Sequence, residues 1–129
     1  MDTQQLCERY LAALNNANLD TVLSLFDPDG TVVSPLYGTL PVGQFFSGLF
    51  ADTGRSETTL VNVFESITER LAVTLQFKYR WTLKSGAVVS FDCADVFDLT
   101  PDRSRFRRLT ILYDTAPLRA EFEASRRGK

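Results

Sequence analysis

The sequence predicts an α+β domain in which helices come first and a long antiparallel meander follows. Three observations carry that reading. Apolar residues recur at helical spacing through about the first 50 residues. From Thr58 to Tyr113 the pattern turns to period-two alternation with a β-branched and aromatic bias. Finally, Ser66-Ile67-Thr68-Glu69, Lys84-Ser85-Gly86 and Thr100-Pro101-Asp102-Arg103 interrupt the alternation as turns, so that consecutive strands pair as hairpins. With 129 residues the chain has the size of one domain that buries its own core.

Leu6, Tyr10, Ala13, Leu14 and Ala17 form the stripe of a first helix running from Gln4 to Ala17. Asn18 then reads as the N-cap of a second helix with Val22, Leu23, Leu25 and Phe26 inward, ended by Asp27-Pro28-Asp29-Gly30. Thr31-Val32-Val33-Ser34 is a short β-branched run stopped by Pro35, and Leu36-Tyr37-Gly38 reads as a turn before a capping signal at Thr39. Val42, Phe45, Phe46, Leu49 and Phe50 place a third helix as far as about Ala51, with a loop from Ala51 to Ser56. Four strands are expected at Glu57 to Ile67, Arg70 to Leu83, Ala87 to Leu99 and Arg105 to Asp114. A short helix from Leu118 to Glu123 and a basic tail, Arg126-Arg127-Gly128-Lys129, close the chain.

Composition narrows the function classes. Lys and Arg number 14 against 16 for Asp and Glu, a formal net charge of -2, which argues against nucleic acid and for small molecules or protein surfaces as partners. Histidine is absent, so His-dependent triads and histidine-ligated zinc are excluded. Carboxylates at metal-ligand spacing are not evident, and neither a metal nor a cofactor is expected. Cys7 and Cys93 sit in no CxxC pattern and read as reduced thiols. The start, Met1-Asp2-Thr3-Gln4-Gln5, lacks the pattern of a secretory signal, and no apolar run has membrane-spanning length; a cytoplasmic setting is expected, with no membrane partner.

The stretch Phe91-Asp92-Cys93-Ala94-Asp95-Val96-Phe97-Asp98-Leu99 carries the functional signal. Phe91, Cys93, Phe97 and Leu99 share a strand face with Asp95, and a carboxylate among apolar neighbours needs a hydrogen-bond partner or a proton. Asp95 either faces a ligand or bonds to nearby backbone or an arginine. Cys93 reads as an inert buried thiol rather than a nucleophile, since no histidine or cation accompanies it. Strands of a dozen residues must bend, and a bent sheet closed by helices leaves a cone-shaped interior. Phe46, Phe64, Phe77, Tyr79, Trp81, Phe91, Phe97 and Tyr113 are candidates to line that cone or to pack outside it. Arg103, Arg105, Arg107 and Arg108 read as a solvated hairpin end near Asp98 and Asp102.

Arg9-Tyr10-Leu11-Ala12-Ala13-Leu14-Asn15, Leu19-Asp20, Leu25-Phe26-Asp27-Pro28-Asp29-Gly30-Thr31-Val32, Pro35 and Gly38-Thr39 together resemble the opening of the NTF2-like superfamily. The likeness is greatest to its ketosteroid isomerase and SnoaL-like polyketide cyclase branches, and it extends through Ala94-Asp95-Val96-Phe97 to Leu112-Tyr113-Asp114-Thr115. What the resemblance implies is a cystatin-like cone: three N-terminal helices on a strongly curved, mixed, mostly antiparallel sheet, with a short C-terminal helix. It also implies an apolar pocket and a homodimer through the outer sheet face. In ungapped register, the isomerases' oxyanion tyrosine and aspartate fall on Tyr10 and Asp95, and their base position falls on Ser34, which cannot abstract a carbon-bound proton. The expectation is therefore a small apolar carbonyl compound bound with Tyr10 and Asp95 as catalytic residues and Ser34, Phe46, Trp81, Phe91, Phe97 and Tyr113 as ligand-binding residues, in isomerase, cyclase or lyase chemistry. In the SnoaL-like cyclases a single aspartate serves as acid and base, which tolerates Ser34. The alternative is a non-catalytic ligand-binding or dimerisation module on the same fold.

Overall fold

The computed structural model describes residues 1–128, which form four helices and six strands. In chain order these are α1 (Thr3–Asn15), α2 (Leu19–Ser24), β1 (Phe26–Ser34), β2 (Gly38–Pro41), α3 (Val42–Ala51), β3 (Thr53–Glu65), β4 (Ala72–Leu83), β5 (Val88–Leu99), β6 (Phe106–Leu112) and α4 (Ala116–Arg127). One sheet runs in the order β2-β1-β6-β5-β4-β3. Only β1 and β6 pair in parallel, so the sheet is mixed and mostly antiparallel as expected.

Asp2 starts α1 with a reciprocal capping box to Gln5, and the predicted stripe is buried through Leu6, Tyr10, Ala13 and Leu14. Asn18 caps α2 as expected, accepting from the Thr21 backbone N–H at 3.1 Å, but the helix ends at Ser24. Phe26, expected inside that helix, opens β1 opposite Phe106. Asp27-Pro28-Asp29-Gly30 is thus not a helix-ending loop. It is an irregularity within the strand, where the register shifts between Phe26 and Thr31. A Cβ on Gly30 would stand 2.9 Å from the Asp27 carbonyl oxygen and 3.2 Å from that of Arg107, so this glycine permits the close approach of β6.

Three further boundaries differ from the sequence reading. The residues around the expected Thr39 cap form β2, paired with β1 from Thr31↔Pro41 to Ser34↔Gly38, and α3 begins behind Pro41 without a side-chain cap. The expected loop from Ala51 to Ser56 contains the start of β3, because Thr53 already pairs with Leu83. The last helix extends well beyond Leu118 to Glu123, reaching Arg127 and burying Leu118, Phe122 and Ser125. Arg126 and Arg127 are consequently its final turn, while Lys129 of the expected basic tail lies outside the described residues.

The alternation on β4 holds: Val73, Leu75, Phe77, Tyr79, Trp81 and Leu83 are buried, whereas Lys78 and Arg80 face solvent. Antiparallel pairing places Asp95 opposite Leu75 on one side and Ile111 on the other, in the middle of the sheet. Phe26, Phe46, Phe97 and Phe106 pack into an aromatic plug beside it, with Phe97 and Phe106 stacked at 3.9 Å. Phe64 points away from this core and is 52% exposed.

Candidate small-molecule site

A cavity lies between the helices and the inner face of the sheet. Tyr10 and Leu14 of α1, Phe45 and Leu49 of α3, Phe77, Tyr79 and Trp81 of β4, Phe91, Cys93 and Asp95 of β5, and Ile111 of β6 line it, with Ser34, Tyr37 and Tyr113 from strand ends and connections. Its volume is about 40 Å³, room for about three waters or a molecule of a few heavy atoms. Counting interstices and the open mouth raises the figure to about 440 Å³, part of it open to solvent.

Asp95 is 1% exposed. The Cys93 thiol, two residues earlier on the same face of β5, donates to its Oδ1 at 3.1 Å. Tyr10 presents its hydroxyl to the same carboxyl as a second donor. Loss of water pushes the Asp95 pKa up to about 7, against the opposing pull of the Cys93 and Tyr10 hydrogen bonds. The surrounding acids stay protonated. Burial, reinforced by the Asp95 charge, raises Cys93 and Tyr10 well above their ordinary values, and Cys7 behind them is pushed up to about 12. Burial raises Tyr79 and Tyr113 in the same way. Among the described residues, no Lys or Arg lines the cavity and no salt bridge reaches Asp95. Asp95 is therefore the one group in the cavity whose charge changes near neutral pH.

Of the residues singled out from the sequence, Tyr10, Asp95, Ser34, Trp81, Phe91 and Tyr113 border the cavity. Phe46 and Phe97 do not. Both are fully buried in the aromatic plug behind Tyr10, whose ring meets theirs edge-on at 6.1 and 5.1 Å. They shape the site by holding that ring rather than by touching its contents. The Ser34 hydroxyl accepts from the backbone N–H groups of Leu36 and Tyr37 at 3.2 and 3.1 Å, so it organises the turn after β1. Leu14, Tyr37, Phe45, Leu49 and Ile111 went unrecognised. Tyr37 completes a set: the chain has four tyrosines, and all four line this cavity.

A family model described as SnoaL-like domain matches residues 7–105, most of the chain, and includes Tyr10, Ser34 and Asp95. The chain belongs to the SnoaL-like domain family. No curated protein matches it. Among solved structures, this SnoaL-like chain is similar to a protein of ketosteroid isomerase-like fold from Catenulispora acidiphila in complex with trimethylamine, at 16% identity over 95% of both chains with a TM-score of 0.77. TerC co-crystallised with polyporic acid matches at 16% identity over 93% of this chain and 97% of that one, with a TM-score of 0.76. An NTF2-like protein from Burkholderia pseudomallei matches at 19% identity over 88% and 91%, with a TM-score of 0.74. At these identities the likeness establishes the NTF2-like fold, and chemistry has to be argued from the SnoaL-like cavity itself.

Proposed function

We propose that this SnoaL-like protein binds a small molecule in the cone and that Asp95, with Tyr10 beside it, is the group that acts on it. One observation carries the reading: a buried carboxyl poised near neutrality borders a largely apolar cavity that, among the described residues, has no Lys or Arg in its lining to neutralise it. Titration near 7 suits a group that both takes and returns a proton. A carbonyl compound with an already acidic C–H would give its proton to Asp95, while the Tyr10 hydroxyl stays protonated and donates to the developing oxygen charge. Among the described residues, Asp95 is the only carboxylate that lines the cavity, and Ser34 stands at the isomerases' base position with its hydroxyl engaged in a turn. The trimethylamine and polyporic acid held by two structural neighbours support a small-molecule role for the fold.

The second reading, a non-catalytic binder, is favoured by the same lack of a second base and by a cavity of about 40 Å³. Both readings are compatible with a homodimer through the outer sheet face and with a cytoplasmic setting, where the free thiols Cys7 and Cys93 stay reduced. The deciding experiment is to identify a co-purified ligand by mass spectrometry and to measure its affinity and turnover with the wild type, Asp95→Asn and Tyr10→Phe. Turnover abolished in Asp95→Asn supports proton transfer, and weakened binding without any turnover supports the binder. Equal affinity in all three proteins removes the pair from the site.

A further inference from the structure

We propose that Cys93 is a positioning residue for Asp95: its thiol, donating to one carboxyl oxygen, fixes the orientation in which Asp95 meets whatever occupies the cavity. The two side chains are neighbours on the inward face of β5, with Sγ 3.1 Å from Oδ1 and exposures of 4% and 1%. Inward strand positions are filled well by alanine, valine or serine, so packing alone does not ask for a thiol here. A thiol offers what an alkyl group lacks, a proton to donate, and donates it more weakly than a hydroxyl would. The result holds the carboxyl in place while leaving it basic enough to change charge near neutral pH. Cys93 borders the cavity as well, so an occupant in contact with Asp95 lies next to its orienting partner.

The groups that face Asp95 are few. Tyr10 and Cys7 come from α1, Tyr79 from β4, Cys93 from β5, and Tyr113 from the segment after β6; all are neutral acids, kept protonated by burial and by the Asp95 charge. Within that set, Cys93 makes the 3.1 Å hydrogen bond to the carboxyl, and Tyr10 is the other group that favours its charged form. Removing the thiol leaves Tyr10 alone to favour the charged form, and replacing it with a hydroxyl strengthens the donor.

The inference rests on Asp95 as the working group of the cavity, yet its test needs no ligand. Carbon-detected NMR titration of Asp95 in the wild type, Cys93→Ala and Cys93→Ser is expected to place the midpoint higher in Cys93→Ala by about half a pH unit or more, and lower in Cys93→Ser than in Cys93→Ala. In the wild type, the S–H stretching band of Cys93 in the Raman spectrum is expected to shift as Asp95 titrates, and to lose that pH dependence in Asp95→Asn. One midpoint shared by all three proteins, or a Cys93 band indifferent to Asp95, overturns the assignment. Should Cys93→Ala fail to fold, the Raman arm on the wild type decides alone. A ligand whose affinity ignores Asp95→Asn, found alongside the expected midpoint order, would sink the functional reading and leave the Cys93 assignment standing.

Discussion

Tyr37 and Asp52 close the cavity at the side where the C-terminal helix packs: the Tyr37 hydroxyl donates to Asp52 Oδ2 at 2.6 Å. Arg126 of α4 approaches the same carboxylate oxygen at 3.9 Å and lies over the Tyr37 ring, 6.0 Å from its centre. The hydrogen bond ties the turn after β2's partner strand to the end of α3, so a wall of the cavity depends on it. Tyr37→Phe removes one donor from a carboxylate that is largely buried and is expected to cost about 1–3 kcal/mol of stability. Urea unfolding of the two proteins checks this; a loss below a few tenths of a kcal/mol would show the bond to be replaceable by water.

Phe122 of α4 sits between two lining residues, with its ring centre 5.5 Å from that of Tyr37 and 5.7 Å from that of Trp81. It does not border the cavity itself. Phe122→Ala therefore joins a new void to the back of the wall, at an expected cost of about 3–5 kcal/mol. The same variant should admit larger apolar probes than the wild type. Calorimetric titration with a graded series of cyclic ketones reads this, and an unchanged size limit would mean that the wall collapses into the gap.

Asp95 makes a prediction with a defined sign. Its pKa stands at about 7 in the folded chain against an ordinary value of 3.8, so between those values the folded state holds a proton that the unfolded state releases. Stability should then be greatest, as far as Asp95 is concerned, below the unfolded value and fall as pH rises through about 7, by an amount on the order of 4 kcal/mol. Above 7 the contribution is level. Asp95→Asn cannot ionise, so the difference in stability between variant and wild type should move in the variant's favour from pH 4 to 7 and stay flat on either side. A difference that does not vary with pH would show that Asp95 titrates alike in both states.

Ser34→Ala separates the turn from the chemistry. Losing the acceptor for the Leu36 and Tyr37 amides is expected to cost about 1 kcal/mol, while the Asp95 midpoint stays where it is. A shift of that midpoint in Ser34→Ala would return the serine to the working part of the site.

Periodicity made the helical stripe of α1, the face of β4 and the inward placement of Asp95 legible, since each depends on spacing along one element. Tyr10 and Asp95 came from different elements and met because the family resemblance supplied the tertiary relation that spacing lacks. The errors arose where local signals have two uses. Asp27-Pro28-Asp29-Gly30 has the composition of a turn, and within β1 the Asp27 carboxylate does accept from the Asp29 amide at 3.0 Å, but the chain remains in the sheet. Phe46 and Phe97 carried the right pattern for the interior, which cannot distinguish a cavity wall from the plug behind it. Tyr37 sits next to a turn glycine, and its place is explained by tertiary contacts with Asp52 and Phe122 that no local pattern carries.

The outer sheet face holds the remaining prediction. Strand register lines up Phe64, Thr74, Val96 and Thr110 across β3, β4, β5 and β6, with Asn62, Gln76, Ala94 and Leu112 in the adjacent row. Phe64 and Leu112 are more than half exposed, at 52% and 53%, amid small or neutral neighbours. Beside this patch Lys78 pairs with Asp92 at 3.4 Å and Arg80 with Glu57 at 2.9 Å, so a second copy can approach without stranding these four charges. In the proposed homodimer a twofold contact brings the same patch onto itself, and an arginine introduced into the patch is stranded in the contact. Leu112→Arg is accordingly expected to convert a dimer into a chain of 14.5 kDa, read by light scattering after gel filtration, with the Asp95 titration unchanged. A wild type that already elutes at the mass of one chain removes the dimer, and a variant that stays dimeric moves the contact to another face.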